Sequence, residues 1–384
     1  MVIRLRRVRK IAGRILIFGT VIATIRGTAA LIPLMQSVQI GAAKESDISH
    51  EDTQKTIGFS EHWMQYHLAE GVGISAETEA IVDNPENSDS AVISWESNAS
   101  KAMWQSKLYP AKRTSNDGNI VEKHYGTQAG TQFISLEKAG QVRNCTFWNN
   151  NDLLAESKIL PNLPLKIDGT PMVLIYHTHT TESFECGERS FFDAAFNYRT
   201  TEPDKNMVMV GDAIAKSLEN AGIGVIHAGE IHDFPVWNNS YSRSAKTVKE
   251  ILAQYPSVCI ALDVHRDAIS TNSTIFAPTT MINGKKSAQI MIISGCDDGT
   301  MGMPNYRENF HFASFLQQQA ETMYNGFTRP VLFDYRKYNQ DLTTGSLLVE
   351  FGSQGNTMEE ARYAGELFGN ALAESIKQLA NQSK

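Results

Sequence analysis

From about residue 163 to the end, short apolar runs rich in β-branched residues alternate with stretches of helical periodicity, which restricts the chain to an α/β sheet covered by helices. The runs fall at 172–176, 223–226, 258–264, 290–294 and 347–351. Between them, Met207, Val210, Ile214, Leu218 and Ala221 recur on one helical face closed by Gly222, and Ala245, Val248, Leu252 and Tyr255 mark a second helix ended by Pro256. Phe312, Phe315, Leu316 and Met323 mark a third. A last helix opens on Thr357-Met-Glu-Glu360, a capping box, and buries Ala364, Leu367, Phe368, Ala371 and Leu372. This order predicts a mostly parallel sheet flanked by helices.

The runs end on residues that carry chemistry. The first stops at His177, His179 and Glu182; the run 258–264 leads into His265; Glu350 stands between Val349 and Phe351. Sites in open α/β sheets gather beyond the carboxyl ends of strands. Zinc takes imidazole and carboxylate donors and in hydrolytic sites keeps one position for water, so His177, Glu182 and His265 are the expected metal ligands and Zn2+ the expected cofactor. Glu350 is expected as the catalytic acid–base, because an unpaired buried carboxylate is a costly way to fill a core. His179 either takes the place of His177 as ligand or stands behind it, fixing a tautomer or donating to an oxyanion. Arg266 and Asn339 are candidates for substrate contact or support of the site. His227, His232 and His311 read as polar surface residues near it.

Other chemistries find no footing. The H-E-x-x-H, P-loop and G-x-S-x-G signatures do not occur, and the four cysteines, Cys145, Cys186, Cys259 and Cys296, include no C-x-x-C pair. Net charge is -7, and no nucleic-acid partner is expected.

The amino-terminal part has a different texture. Arg4, Arg6, Arg7, Arg9, Lys10 and Arg14 precede apolar segments at 15–25 and 27–35 separated by Arg26. Basic residues before an apolar run predict an uncleaved signal-anchor over 1–35, a single pass of the cell membrane, and an extracytoplasmic catalytic part. Residues 36–100 are polar and acidic and read as a linker. Alternating runs and turn residues predict a small β-rich module over 101–162, ahead of a catalytic domain over 163–384.

Several motifs in one order carry a resemblance. His177-Thr-His-Thr-Thr-Glu-Ser183, Leu262-Asp-Val-His-Arg-Asp-Ala268, Tyr306-Arg-Glu-Asn309, and Tyr338-Asn-Gln-Asp-Leu-Thr-Thr-Gly345 running into Leu347-Leu-Val-Glu-Phe-Gly-Ser353 resemble the stage II sporulation protein P family over about residues 165–380. Thr344 departs from the proline expected in that motif. The resemblance implies a membrane-anchored peptidoglycan hydrolase with a zinc-dependent N-acetylmuramoyl-L-alanine amidase-like fold, active in septal remodelling and engulfment during sporulation. It implies cleavage of the amide between N-acetylmuramic acid and L-alanine, with endopeptidase cleavage of cross-links beside it, and stage II sporulation proteins D and M as partners. Carried over by motif, the ligands fall on His177, Glu182 and His265 and the catalytic carboxylate on Glu350, with the choice between His177 and His179 still open. The competing readings are a catalytically weak wall-binding scaffold and a metal-dependent amidohydrolase acting on another substrate. A barrel of eight βα units would need more chain than this domain offers.

Overall fold

The computed structural model describes residues 117–194 and 196–382. The expected anchor over 1–35, the linker over 36–100 and the first part of the expected β-rich module lie outside the described residues. Among the described residues no helix is long and apolar enough to cross a membrane.

In chain order the elements are β1 (Gly118–Lys123), β2 (Phe133–Ser135), β3 (Gln141–Asn144), α1 (Asn150–Glu156), β4 (Pro171–Tyr176), β5 (Phe191–Phe192) and α2 (Met207–Asn220). They continue with β6 (Gly224–His227), α3 (Ser240–Gln254), β7 (Ile260–Asp267), β8 (Ser270–Thr271), β9 (Thr274–Ile282) and β10 (Lys285–Ala288). The last are β11 (Ile290–Gly295), α4 (Tyr306–Met323), β12 (Val331–Asp334), β13 (Gly345–Ser353) and α5 (Met358–Gln382). The helix signals hold at the level of hydrogen bonds. Thr357 N donates to Glu360 Oε2 (3.1 Å) and Glu360 N to Thr357 Oγ1 (3.2 Å), the two halves of the capping box. Gly222, at φ +79°, ends α2 as Ile223 N donates back to Leu218 O (3.0 Å).

The main sheet has eight strands in the order β2-β3-β12-β11-β13-β7-β4-β6. Strands β13, β7, β4 and β6 form one parallel block, and β3, β12 and β11 form another. The blocks meet at an antiparallel β11–β13 pair, and β2 adds antiparallel to β3. The sheet is therefore mixed, which corrects the expectation of a mostly parallel one. A buried strand is apolar throughout whichever way it runs, so composition does not reveal its direction.

The strands expected as a separate β-rich module are sewn into the fold. β3 pairs with β12 in the main sheet, and β1 pairs with β9 and β5 in a second, smaller sheet of order β10-β9-β1-β5, to which β8 adds through β9. β9 and β10 form a hairpin whose two turn residues, Asn283 and Gly284, both have positive φ (51° and 74°).

The main core lies between the sheet and α2, α4 and α5. Ile260, Leu262 and Val264 of β7 and Leu347, Val349 and Phe351 of β13 face it, with Val210, Ile214, Phe312, Leu316, Phe368 and Leu372 opposite. The alternate residues Asp263, His265, Asp267 and Glu350 therefore point to the other face, where α3 packs Val248 on Leu174, Tyr176 and Ala261.

Candidate active site

The site is built where the parallel block ends. Glu350 and His265 are Cα partners across β13 and β7, so their side chains leave the sheet on the same face. His177 follows directly on β4. Glu182 is brought in by a bridge to Arg199 and by accepting from Arg266 N (3.1 Å). His177, His179, Glu182, His265 and Glu350 are all buried, none more than 3% exposed.

His265 stands between two carboxylates. Its Nε2 lies 2.7 Å from Asp263 Oδ1, and its Nδ1 lies 3.7 Å from Glu182 Oε2. Burial works against a charge on this imidazole, but Asp263 and then Glu182 outweigh it and lift the pKa above the ordinary value. Arg266 supports the site from behind Glu182. Its guanidinium is spent on the carbonyls of Ser183, Tyr198 and Asp267 (2.8, 3.0 and 3.2 Å), which pins the loop carrying Glu182.

The two neighbouring histidines separate. Both ring nitrogens of His177 are engaged, Nδ1 with Val264 O and Nε2 with His227 Nε2, each at 2.9 Å. Burial holds its pKa well below the usual imidazole range, and His227 adds to this. His227 in turn meets Asp212 Oδ1 at 2.9 Å. His179 instead lies edge-on to His265, ring centroids 5.2 Å apart, and is stacked under Trp237 at 4.9 Å. The structure thus sets His179 beside His265 and Glu182, and turns His177 toward β6.

Glu350 leaves the sheet on the same face as His265. It is fully buried, and neither carboxylate oxygen has a hydrogen-bond partner among the described residues. Burial raises its pKa well above the usual carboxylate range; Asp267 and Glu182 push the same way, and Arg329 only partly opposes them. Arg329 is held 2.8 Å from Asp267, itself pushed up to about 7 by burial despite that cation. The buried Tyr241 hydroxyl and Trp237 Nε1 likewise have no partner among the described residues. Tyr241 stacks on His265 (6.5 Å) and Tyr338 on Tyr241 (5.2 Å), so three aromatic rings roof the site. Tyr338 and Asn339 both hold positive φ (43° and 56°), and Asn339 Nδ2 donates to Tyr241 O and Ser244 Oγ, each at 3.0 Å. Asn339 therefore supports the roof.

Two imidazoles, a carboxylate and a buried glutamate with no hydrogen-bond partner among the described residues have the donor chemistry of a hydrolytic zinc site. Their donor atoms stand further apart than an ion would hold them. Among the described residues the only three such donors within 4.8 Å of one another belong to Glu122, Glu188 and Glu360 near the surface, where Lys286 already pairs with Glu122 (2.8 Å) and Glu188 (2.6 Å).

Sequence reasoning missed Asp263, Thr178 and Trp237. The signal for Asp263 was present: a carboxylate inside an apolar run, two residues before His265 and so on the same strand face.

Comparison with known proteins adds the lineage. Stage II sporulation protein P of Bacillus subtilis (strain 168) is 30% identical over 220 residues, 53% of this chain and 50% of that protein, so the match spans about half the length of the relative. Among solved structures, the amidase AmiC2 of Nostoc punctiforme matches 55% of this chain and 97% of its own at 12% identity and a TM-score of 0.33. The CwlD amidase of Clostridioides difficile, solved in complex with the GerS lipoprotein, matches 55% and 99% at 11% identity and a TM-score of 0.35. Likeness that distant says nothing about the site. The family model for stage II sporulation protein P, by contrast, matches residues 74–373, a stretch that contains every site residue described above. This chain belongs to the stage II sporulation protein P family.

Proposed function

We propose that the chain is a zinc-dependent peptidoglycan hydrolase that cuts the amide between N-acetylmuramic acid and L-alanine in the wall remodelled during sporulation. The observation that carries the reading is Glu350: fully buried, without a hydrogen-bond partner for either oxygen among the described residues, and paired across two strands with His265. A carboxylate left in that state is expensive to keep, and a fold retains one where it handles a proton.

The metal would be held by His179, Glu182 and His265. His179 is assigned in place of His177 because both nitrogens of His177 already have partners. Bound zinc supplies the Lewis acid that brings the pKa of a water toward about 7. In its ionised form Glu350 takes a proton from the attacking water as the oxygen adds to the lactyl carbonyl carbon, and burial, by raising its pKa, makes it the stronger base. The C–N bond then breaks, and Glu350 returns the proton to the departing L-alanine nitrogen. Trp237, Tyr241 and Tyr338 exclude bulk water from the reacting groups.

The basic residues and apolar runs of 1–35 support a single-pass anchor that carries the catalytic part outside the cytoplasm. Family membership supports stage II sporulation proteins D and M as partners, and cleavage of peptide cross-links as a second activity.

The test is digestion of purified peptidoglycan by the chain in detergent, with and without a chelator, read by mass spectrometry. Chelator-sensitive release of stem peptides that begin at L-alanine is expected. Uncrosslinked peptides still attached to muramic acid would move the main activity to the cross-links, and chelator-insensitive release would end the zinc reading.

A further inference from the structure

Arg199, Arg243 and Arg266 all stand close enough to His179 to disfavour a charge on its ring. Two of them are committed to backbone. Arg266 donates to the carbonyls of Ser183, Tyr198 and Asp267, and Arg243 to those of His232 (2.6 Å), Asn238 (2.9 Å) and Val236. Arg199 differs. Its Nη1 donates to Asp233 Oδ2 (3.0 Å) and weakly to Thr181 Oγ1 (3.4 Å), while Nη2 stands 3.9 Å from Glu182 Oε1, too far for a hydrogen bond. Neither Nη2 nor Nε is closed off from solvent.

The arginine is nonetheless held firmly. It is the bridge partner of Glu182, flanked by Ser183 N donating to Tyr198 O (2.9 Å) and Thr200 N to Thr181 O (2.8 Å), so the two side chains lie on one side of the strand pair. The fully buried Asp233 carboxylate grips Nη1 and is itself fixed by Thr181 N (3.1 Å) and Thr181 Oγ1 (2.6 Å). A planar guanidinium anchored by one amino group presents Nε and Nη2 as a fork in a set direction, the geometry that matches a carboxylate. The Arg199 side chain is 35% exposed against 4% for Glu182, so the fork stands at the border between the buried groups and solvent.

The surrounding charge makes that border selective. Glu182, Asp233, Asp263, Asp267 and Glu350 are all buried here, so an anion is opposed everywhere except beside a cation. The stem peptide of peptidoglycan is such an anion: the residue after L-alanine is a D-glutamate whose α-carboxyl is free or amidated, and two residues of chain place that group about 7 Å from the L-alanine nitrogen.

We infer that Arg199 is a substrate-binding residue that takes the α-carboxylate of this D-glutamate on Nε and Nη2, and so sets a preference for stems in which it is not amidated. The inference rests on the peptidoglycan reading proposed above.

The test uses the full chain in detergent carrying Glu350→Gln, so that ligand is not consumed, and two soluble probes, N-acetylmuramyl-L-alanyl-D-glutamate and its α-amide, with binding read by calorimetry. The acid should bind about 10–100-fold more tightly than the amide, and adding Arg199→Gln should bring the two within about twofold by weakening the acid alone. Equal affinity for the probes, no binding of either, or a preference that survives Arg199→Gln overturns the inference. So does a loss that falls on both probes alike, which is the mark of a merely structural role. Arg199→Lys keeps the charge and the Asp233 pair without the fork, and it decides the matter if Arg199→Gln fails to fold: part of the preference should go, and an undiminished preference overturns the inference. In the otherwise unaltered chain, Arg199→Gln should raise KM for unamidated peptidoglycan and leave kcat within about threefold. If the parent cuts no amide yet the preference is found and lost as described, the amidase reading fails while the role of Arg199 stands.

Discussion

Glu350 and His265 are neighbours across a parallel strand pair, and their environments drive them in opposite senses: the imidazole is flanked by carboxylates that favour its charge, and the carboxylate is buried with no hydrogen-bond partner among the described residues. On the zinc reading proposed above, His265 would serve as a ligand and Glu350 would carry the proton.

Replacing Glu350 by Gln keeps the shape and removes the proposed base. Turnover of peptidoglycan should fall by about 10²–10⁴-fold. Zinc content, measured by atomic emission after dialysis, should match the parent.

The same variant should change stability with pH. Because burial raises the folded pKa of Glu350 above its unfolded value of about 4.3, the folded state keeps a proton that the unfolded state releases. Stability from this group is complete below about pH 4 and is lost as pH rises through the folded pKa. Gln suffers no such loss. In metal-free protein the Tm of Glu350→Gln should approach that of the parent in acid and exceed it increasingly toward neutral pH. A constant difference would contradict the assignment.

The two histidines after β4 should part company on substitution. His179→Ala should lose zinc on dialysis. His177→Gln should retain zinc and instead lose stability, since it unpairs the Val264 carbonyl and His227. Zinc lost from His177→Gln but kept by His179→Ala would reverse the assignment.

Arg329 is fully buried and pairs with Asp267, which stands next to Glu350. Arg329→Met would leave Asp267 uncompensated in the interior. Urea unfolding should show a loss of about 3–5 kcal/mol.

Helices α2 and α5 cross closely through glycine. A Cβ on Gly369 would lie 2.7 Å from Ser217 Cβ and 2.9 Å from Ile214 O, one partner being backbone that cannot swing away. Gly369→Val should cost about 1–3 kcal/mol in denaturant unfolding.

The α/β class, the five main strands and the principal helices were legible because burial imposes period 2 or 3.6 on the sequence. Strand direction was not, as the antiparallel β11–β13 pair shows. β3 reads Gln141-Val-Arg-Asn144, short and polar, and its burial appears only once β12 lies beside it. The Asn283-Gly284 hairpin was announced by its two turn residues and passed over. At the site, residue type and strand-end position picked out Glu182, His265 and Glu350. Spacing alone did not separate His177 from His179, because what separates them is the Val264 carbonyl from β7 and His227 from β6, neither of which is local in sequence.

The stitching of β1 to β9 and of β3 to β12 governs how the molecule can be cut. A fragment that starts at residue 163, where strand–helix alternation begins, would leave β9 and β12 each with an open edge bearing unsatisfied amides and carbonyls, an invitation to self-association. Fragments intended for assay or crystallisation should therefore begin no later than Asp117.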